Sequence, residues 1–301
     1  MTAGEAADSR SRARGLGLSA TGMTVAYDRV DVVHEASIAL RPAEVTALVG
    51  PNGSGKSTLL RTLARLQRAR SGTLTLAAGS PRSTDAGSSD AGGATDGFDL
   101  SARAFAQRVA LLTQGRSTPS GLSVRDVVAF GRYPHRGRWG RPDPGGAAAV
   151  ERALGLTGVQ HLAARGVDQL SGGQLQRVWL ASCLTQETDV LLLDEPTTYL
   201  DLRYQIELLD LVRDLADDHA IAVGVVLHDL DQAAAVADRV TLLGEGRVIA
   251  DGPPEDVLTP ERLSAVYGIR IDVGTDPSTG RLRTRAVGRH HLRNERPTPS
   301  P

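Results

Sequence analysis

The sequence predicts an α/β fold on a mainly parallel sheet, with a smaller antiparallel β unit and an inserted helical region. Three observations lead there. DVLLLDEP (189–196) and AIAVGVVLHD (220–229) are apolar runs of strand length, and the amphipathic stretch LRYQIELLDLVRDLADD (202–218) separates them. Such β-α-β alternation calls for a crossover between parallel strands. VTALV (45–49) is a third run of the same kind, and GPNGSG links it to KSTLLRTLARLQ, where Leu59, Leu60, Leu63 and Leu66 recur at helical spacing on one face.

Taken in order, the elements are these. Residues 1–15 (MTAGEAADSRSRARG) are small, polar and aperiodic, and predict a disordered tail ahead of a main domain over 16–273. LSATGMTVAY (18–27) and VDVVHEASIAL (30–40) are β-rich, the second with partial alternation. After the leucine-rich helix, Ser71 and Gly72 turn the chain into the strand TLTLA (73–77). SPRSTDAGSSDAGGATDG (80–97) is a low-complexity insertion that buries too little apolar surface to offset its ordering entropy. VALLTQ (109–114) predicts a buried strand. From 115 to about 188 helical patterns dominate as an inserted subdomain, broken by the loop RYPHRGRWGRPDPGG (132–146). RVTLLGEGRVIADG (239–252) predicts a hairpin. Beyond it, IRIDV (269–273) and RLRTRAV (281–287) flank the turn GTDPSTG, and 274–301 form a short extension that ends in a frayed tail.

Composition limits the function classes. The chain has 301 residues and a net charge of −1, which gives no global pull toward nucleic acid, and none is expected as a partner. The longest apolar stretch, around 220–227, falls far short of the ~20 residues that cross a bilayer. No charged n-region followed by an apolar h-region opens the sequence, so a cytosolic protein is expected. Cys183 is the single cysteine and is expected to be a small buried hydrophobe. Lys56 is the single lysine, set in a chain that otherwise takes its fixed positive charge from arginine.

That lysine stands inside GPNGSGKST (50–58), which fits the phosphate-cradling pattern G-x-x-x-x-G-K-[ST] between a strand and a helix. Gly50 and Gly55 allow the turn, and the backbone N–H groups from Asn52 through Gly53, Ser54 and on to Thr58 converge where phosphates are held. Lys56 offers a point charge to the β and γ oxygens, and Ser57 a hydroxyl ligand to Mg²⁺. VLLLDEP supplies the complement. Asp194 emerges at the carboxyl end of its strand as a further Mg²⁺ ligand, and Glu195 beside it could act as general base toward water. A second glycine-rich loop, LSGGQLQR (170–177), then needs a reason to exist in a chain that already has one.

The P-loop, LSGGQ and LLLDEP in this order resemble the ATP-binding subunits of ABC transporters, over about residues 16–270. The resemblance implies a RecA-like P-loop NTPase core that hydrolyses ATP with Mg²⁺. It also accounts for the second loop: in that family ATP on one subunit's P-loop is covered by the LSGGQ loop of a second copy, so Ser171, Gly172, Gly173 and Gln174 would contact nucleotide on the partner. Gln114 matches the glutamine that senses Mg²⁺ and the attacking water, and His228 the histidine that contacts the γ-phosphate. Asp201 matches the loop that touches the other subunit, and Tyr27 the aromatic that stacks on adenine. By themselves, a polar strand end and a structural histidine are the alternative readings of Gln114 and His228.

GRYPHRGRWGR (131–141) and PTTYLDLRYQIELLDL (196–211) are similar to the ATPases that drive iron–siderophore uptake, and less closely to those for haem and cobalamin. This implies a permease in the membrane, an extracytoplasmic substrate-binding protein acting through it, and a location on the cytoplasmic face. The arginine-rich loop is either a solvated face or a contact with the permease or acidic headgroups. His290 and His291 lack a third ligand in sequence for a metal site. A soluble ATPase of the same type, such as one in iron–sulfur assembly, is the other class the sequence leaves open.

Overall fold

The computed structural model describes residues 15–78, 94–115, 118–136 and 143–288. The expected N-terminal tail, most of the low-complexity insertion, the tip of the arginine-rich loop and the tail with His290 and His291 lie outside the described residues.

Along the chain, β1 (Leu16–Tyr27), β2 (Val30–Leu40) and β3 (Val45–Val49) precede helix α1 (Lys56–Leu63). Next come β4 (Ser71–Ala78), β5 (Thr95–Asp96), α2 (Ala102–Ala106) and β6 (Val109–Leu112). The helical stretch holds α3 (Val124–Ala129), a 3₁₀ turn (Phe130–His135), α4 (Gly146–Leu156) and α5 (Gly172–Leu184). The chain then returns as β7 (Val190–Asp194), α6 (Leu202–His219), β8 (Ala222–Val226), α7 (Leu230–Val236), β9 (Arg239–Gly244) and β10 (Arg247–Gly252). Helices α8 (Pro254–Val257) and α9 (Pro260–Tyr267) lead to the hairpin β11 (Ile271–Thr275) and β12 (Leu282–Ala286).

The central sheet has the order β10-β9-β3-β8-β7-β6, parallel except for the β9–β10 hairpin at its edge. Every residue of β3, β7 and β8 is buried, which is why those strands read as unbroken apolar runs rather than alternating ones. A second, antiparallel sheet runs β2-β1-β4-β5. One core lies between that sheet, α1 and the central sheet, around Leu18, Met23, Leu48, Leu60 and Leu192. The opposite side of the central sheet packs on α5, α6 and α7 around Leu191, Leu208, Val212 and Ala233, with Cys183 buried among them as expected. A third cluster, around Val127, Leu154 and Val178, joins α3, α4 and α5 and gives the helical stretch a core of its own.

Two expectations need correcting. The helix after GPNGSG stops at Leu63, because Arg65 turns left-handed at φ 59° and Leu66 N–H donates back to the Arg61 carbonyl at 2.9 Å. Leu66 therefore leaves the apolar face and is 68% exposed. The insertion assigned to 80–97 is not loop to its end. Thr95 and Asp96 pair with Leu76 and Thr75, and Gly97 N–H donates to the Leu74 carbonyl at 2.6 Å. Those backbone bonds need no apolar side chains, so a composition argument does not see them.

Candidate functional site

Four parallel strands, adjacent in the order β3-β8-β7-β6, end on the same edge of the sheet. Their exits carry the P-loop, His228, Asp194 with Glu195, and Gln114, so residues far apart in sequence share one crevice.

The P-loop is a strained turn that only glycine permits at its start. Gly50 has φ 145°, and a Cβ there would collide with the Leu243 carbonyl oxygen. Lys56 opens α1 and folds back over the loop, its Nζ donating to the carbonyls of Gly50 and Pro51 at 2.8 Å each. Burial pushes its pKa below the ordinary lysine value, while Glu195 and Asp194 pull the other way. The α1 N-terminus has no side-chain cap, because Gly55 occupies that position. Beside it the Ser54 hydroxyl is buried without a hydrogen-bond partner. A hollow of about 160 Å³ opens there, lined by Val32, Asn52, Gly53, Gly55, Lys56, Ser57, Thr58 and Glu195. Uncapped amides and a buried cation around one hollow fit a polyphosphate.

Asp194 is 1% exposed at the end of β7. Its Oδ1 accepts from Ser57 Oγ at 2.6 Å and its Oδ2 from Arg61 Nη2 at 3.1 Å. A hydroxyl and a carboxylate held together beside a phosphate-sized hollow are hard oxygen donors, the set that suits Mg²⁺. Glu195 follows with a left-handed φ of 52°, a conformation costing roughly 1–2 kcal/mol for a residue with a Cβ. The carboxylate so turned meets both residues assigned beside it. Gln114 Nε2 donates to Oε2 at 2.8 Å, and His228 Nε2 lies 2.7 Å from Oε1. Thr198 adds a longer hydroxyl contact to Oε2 at 3.3 Å.

The remaining sequence-predicted residues stand elsewhere. Ser171 is the N-cap of α5 and forms a capping box with Gln174, accepting from its N–H at 3.4 Å and donating its own to Gln174 Oε1 at 3.1 Å. Gly172 faces open space, whereas a Cβ on Gly173 would press on the Tyr204 ring at 3.0 Å. None of residues 171–174 lines the P-loop hollow; Gly172 instead lines a separate hollow of about 190 Å³ with Gln114, Trp179, Glu195 and Tyr199. Asp201 caps α6 by accepting from Tyr204 N–H at 3.1 Å. Tyr27 ends β1 at the β1–β2 turn, 42% exposed, and is also absent from the lining of the P-loop hollow. Sequence reasoning missed Arg61 and Thr198. Arg61 was findable, since it lies one helical turn beyond Ser57, but Thr198 carries no signal of its own.

A P-loop at one strand end, with an acidic pair at another on the same sheet edge, defines a P-loop ATPase. The family follows from similarity. The sequence profile of the ABC transporter family matches residues 33–198. The ferric enterobactin transport ATP-binding protein FepC of Escherichia coli (strain K12) is 38% identical, over 89% of this chain and 93% of that protein. The iron(3+)-hydroxamate import ATP-binding protein FhuC of Bacillus subtilis (strain 168) is 37% identical, over 88% and 92%. The cobalamin import ATP-binding protein BtuD of Halobacterium salinarum is 41% identical over 87% of this chain, but over only 62% of its own length. Among solved structures, a metal-chelate type ABC transporter in an inward-facing conformation superposes with a TM-score of 0.74 at 25% identity, covering 91% of this chain and 98% of that one. The chain belongs to the ABC transporter family and is one of its ATP-binding, ATP-hydrolysing subunits.

Proposed function

We propose that this chain energises uptake of iron(III)–siderophore complexes, working as a pair of identical ATPases on the cytoplasmic face of a separate membrane permease. The observation that carries the ATPase mechanism is the convergence of Gln114 and His228 on the single carboxylate of Glu195. The cargo reading rests on the relatives, whose names include ferric enterobactin, iron(3+)-hydroxamate and petrobactin transport. BtuD, a cobalamin importer, keeps a second cargo in view. No helix among the described residues is long and apolar enough to cross a membrane, and the permease of this reading is a separate chain. An extracytoplasmic protein would deliver the chelate to it.

In this reading the 16–273 region is the ATP-binding domain and 115–188 its helical subdomain. Lys56 and the amides of residues 52–58 hold the phosphates, and Tyr27 stacks on the adenine. Ser57, Asp194 and Gln114 hold Mg²⁺, which would offset phosphate charge as the γ-phosphoryl group leaves. Glu195 accepts the proton of the attacking water, oriented by Gln114, and His228 places its ring toward the γ-phosphate. Ser171, Gly172, Gly173 and Gln174 of the second copy close over the nucleotide, with Asp201 at the seam.

Disrupting the gene and growing cells on a ferric siderophore as sole iron source tests the proposal. Growth should fail there and persist on other iron sources. Failure confined to cobalamin use would overturn the cargo while leaving the ATPase intact.

A further inference from the structure

Among the described residues Asp194 has two side-chain hydrogen-bond partners, Ser57 and Arg61, and the sequence motif accounts for only one. Ser57 belongs to the P-loop. Arg61, four residues further along α1, shares that helix face and places Nη2 3.1 Å from Oδ2. The carboxylate has no exposed surface, while the guanidinium is 40% exposed. A carboxylate this deeply buried is costly to leave without a positive partner, and of the described residues Arg61 is the one within hydrogen-bond reach. Lys56 lies close enough to feel the Asp194 charge, but its hydrogen bonds go to the carbonyls of Gly50 and Pro51.

We propose that Arg61 is the resident counter-ion of Asp194: it neutralises this carboxylate while no divalent cation is bound and gives way to the cation when nucleotide arrives. The inference rests on the assignment of Asp194 to Mg²⁺ above. The asymmetry of exposure makes the exchange feasible. Ser57 keeps one carboxylate oxygen fixed, while a half-exposed guanidinium can swing toward water without stranding its N–H groups. Arg61 is then a positioning residue that competes with the metal, so its removal should act in opposite directions on the empty and loaded protein. A plain ion pair tying α1 to β7 would instead weaken both states alike.

The full chain carrying Arg61→Gln separates these cases. Melting is followed without nucleotide and with ADP plus Mg²⁺, and ADP binding is titrated calorimetrically across Mg²⁺ concentrations. Without nucleotide the variant should melt below wild type. Its half-saturating Mg²⁺ concentration should fall by roughly three- to tenfold, the order for removing a like charge at the edge of a partly screened site. Arg61→Lys keeps the charge with weaker pairing, so it should move the Mg²⁺ requirement in the same direction by less. It also serves if Arg61→Gln does not fold. An unchanged or raised Mg²⁺ requirement would overturn the counter-ion. If ADP binding to the wild type is indifferent to Mg²⁺, the assignment of Asp194 itself fails, which is a different result.

Discussion

Lys56 combines three properties that seldom meet in one residue. It is the only lysine of the sequence, it is 5% exposed, and its ammonium is held by the loop's own carbonyls. Burial lowers its pKa from the ordinary lysine value. Because the sequence holds no other lysine, an acylating reagent should find one internal amine, and nucleotide in the hollow should protect it. Peptide mapping after labelling with and without MgATP checks this; labelling unaffected by nucleotide would take the amine out of the phosphate cradle. Lys56→Ala should abolish ATP turnover, because the phosphates lose their nearest fixed cation, and a phosphate-release assay on the purified variant measures it. At this scale most of the site was legible. Lys56, Ser57 and Asp194 announce themselves by spacing, but the meeting of Gln114, Glu195 and His228 depends on strand order, which no local pattern records. The left-handed turn at Glu195 is equally invisible in LLLDEP, since nothing in those letters distinguishes it from a strand running on.

Among the elements, the 3₁₀ turn Phe130–His135 begins the arginine-rich segment, and an ion cluster centred on a buried arginine pins it. Arg132 is 5% exposed; its Nε and Nη2 donate to Asp143 at 2.6 and 3.0 Å, and its Nη1 to Glu187 at 2.6 Å and the Thr185 carbonyl at 3.0 Å. One side chain thus joins the base of the loop to the end of α5. The sequence offered RYPHRGRWGR as a charged surface or a docking contact, and for this first arginine the answer is neither. A buried arginine looks like any other in a polar loop until its partners, 11 and 55 residues away, are placed. Arg132→Met should cost roughly 1–3 kcal/mol, since it leaves the largely buried Asp143 without its arginine while Glu187 keeps Arg152. Hydrogen bonding from Arg132 holds Asp143 below the usual carboxylate range. A depressed folded-state value adds stability above the unfolded value and loses it as pH falls through the folded one. The gap in unfolding free energy between wild type and variant should therefore narrow in acid, as denaturant titrations from neutral pH downward would reveal; a constant gap would place the cost in packing instead. The strands tell the opposite story. β3, β7 and β8 were legible because full burial leaves unbroken apolar runs, whereas α2 and α8 are too short for periodicity to show and β5 pairs through backbone bonds that no apolar pattern marks.

For the whole molecule, the question is how the second glycine-rich loop is used. Within one chain Ser171 and Gln174 satisfy each other at the start of α5, Gly173 makes room for Tyr204, and none of them lines the P-loop hollow. Ser171 and Gly172 are both exposed and neither lines the P-loop hollow, so the loop presents an open helix N-terminus outside that hollow. A second copy is the simplest owner of the phosphate it would meet. Glu195→Gln keeps the contact with Gln114 but removes the base, and should slow hydrolysis by roughly 10²- to 10⁴-fold. ATP then persists, and sedimentation should find a dimer with MgATP and a monomer without it. Ser171→Arg in that background puts a bulky cation at the helix start. If the loop closes over the partner's nucleotide, dilute monomer should bind ATP as before through an untouched P-loop, yet the dimer should vanish. If Ser171 serves the nucleotide of its own chain, monomer affinity must fall together with dimerisation. Equilibrium binding on dilute protein distinguishes the outcomes, and a loss of monomer affinity would return both loops to a single site.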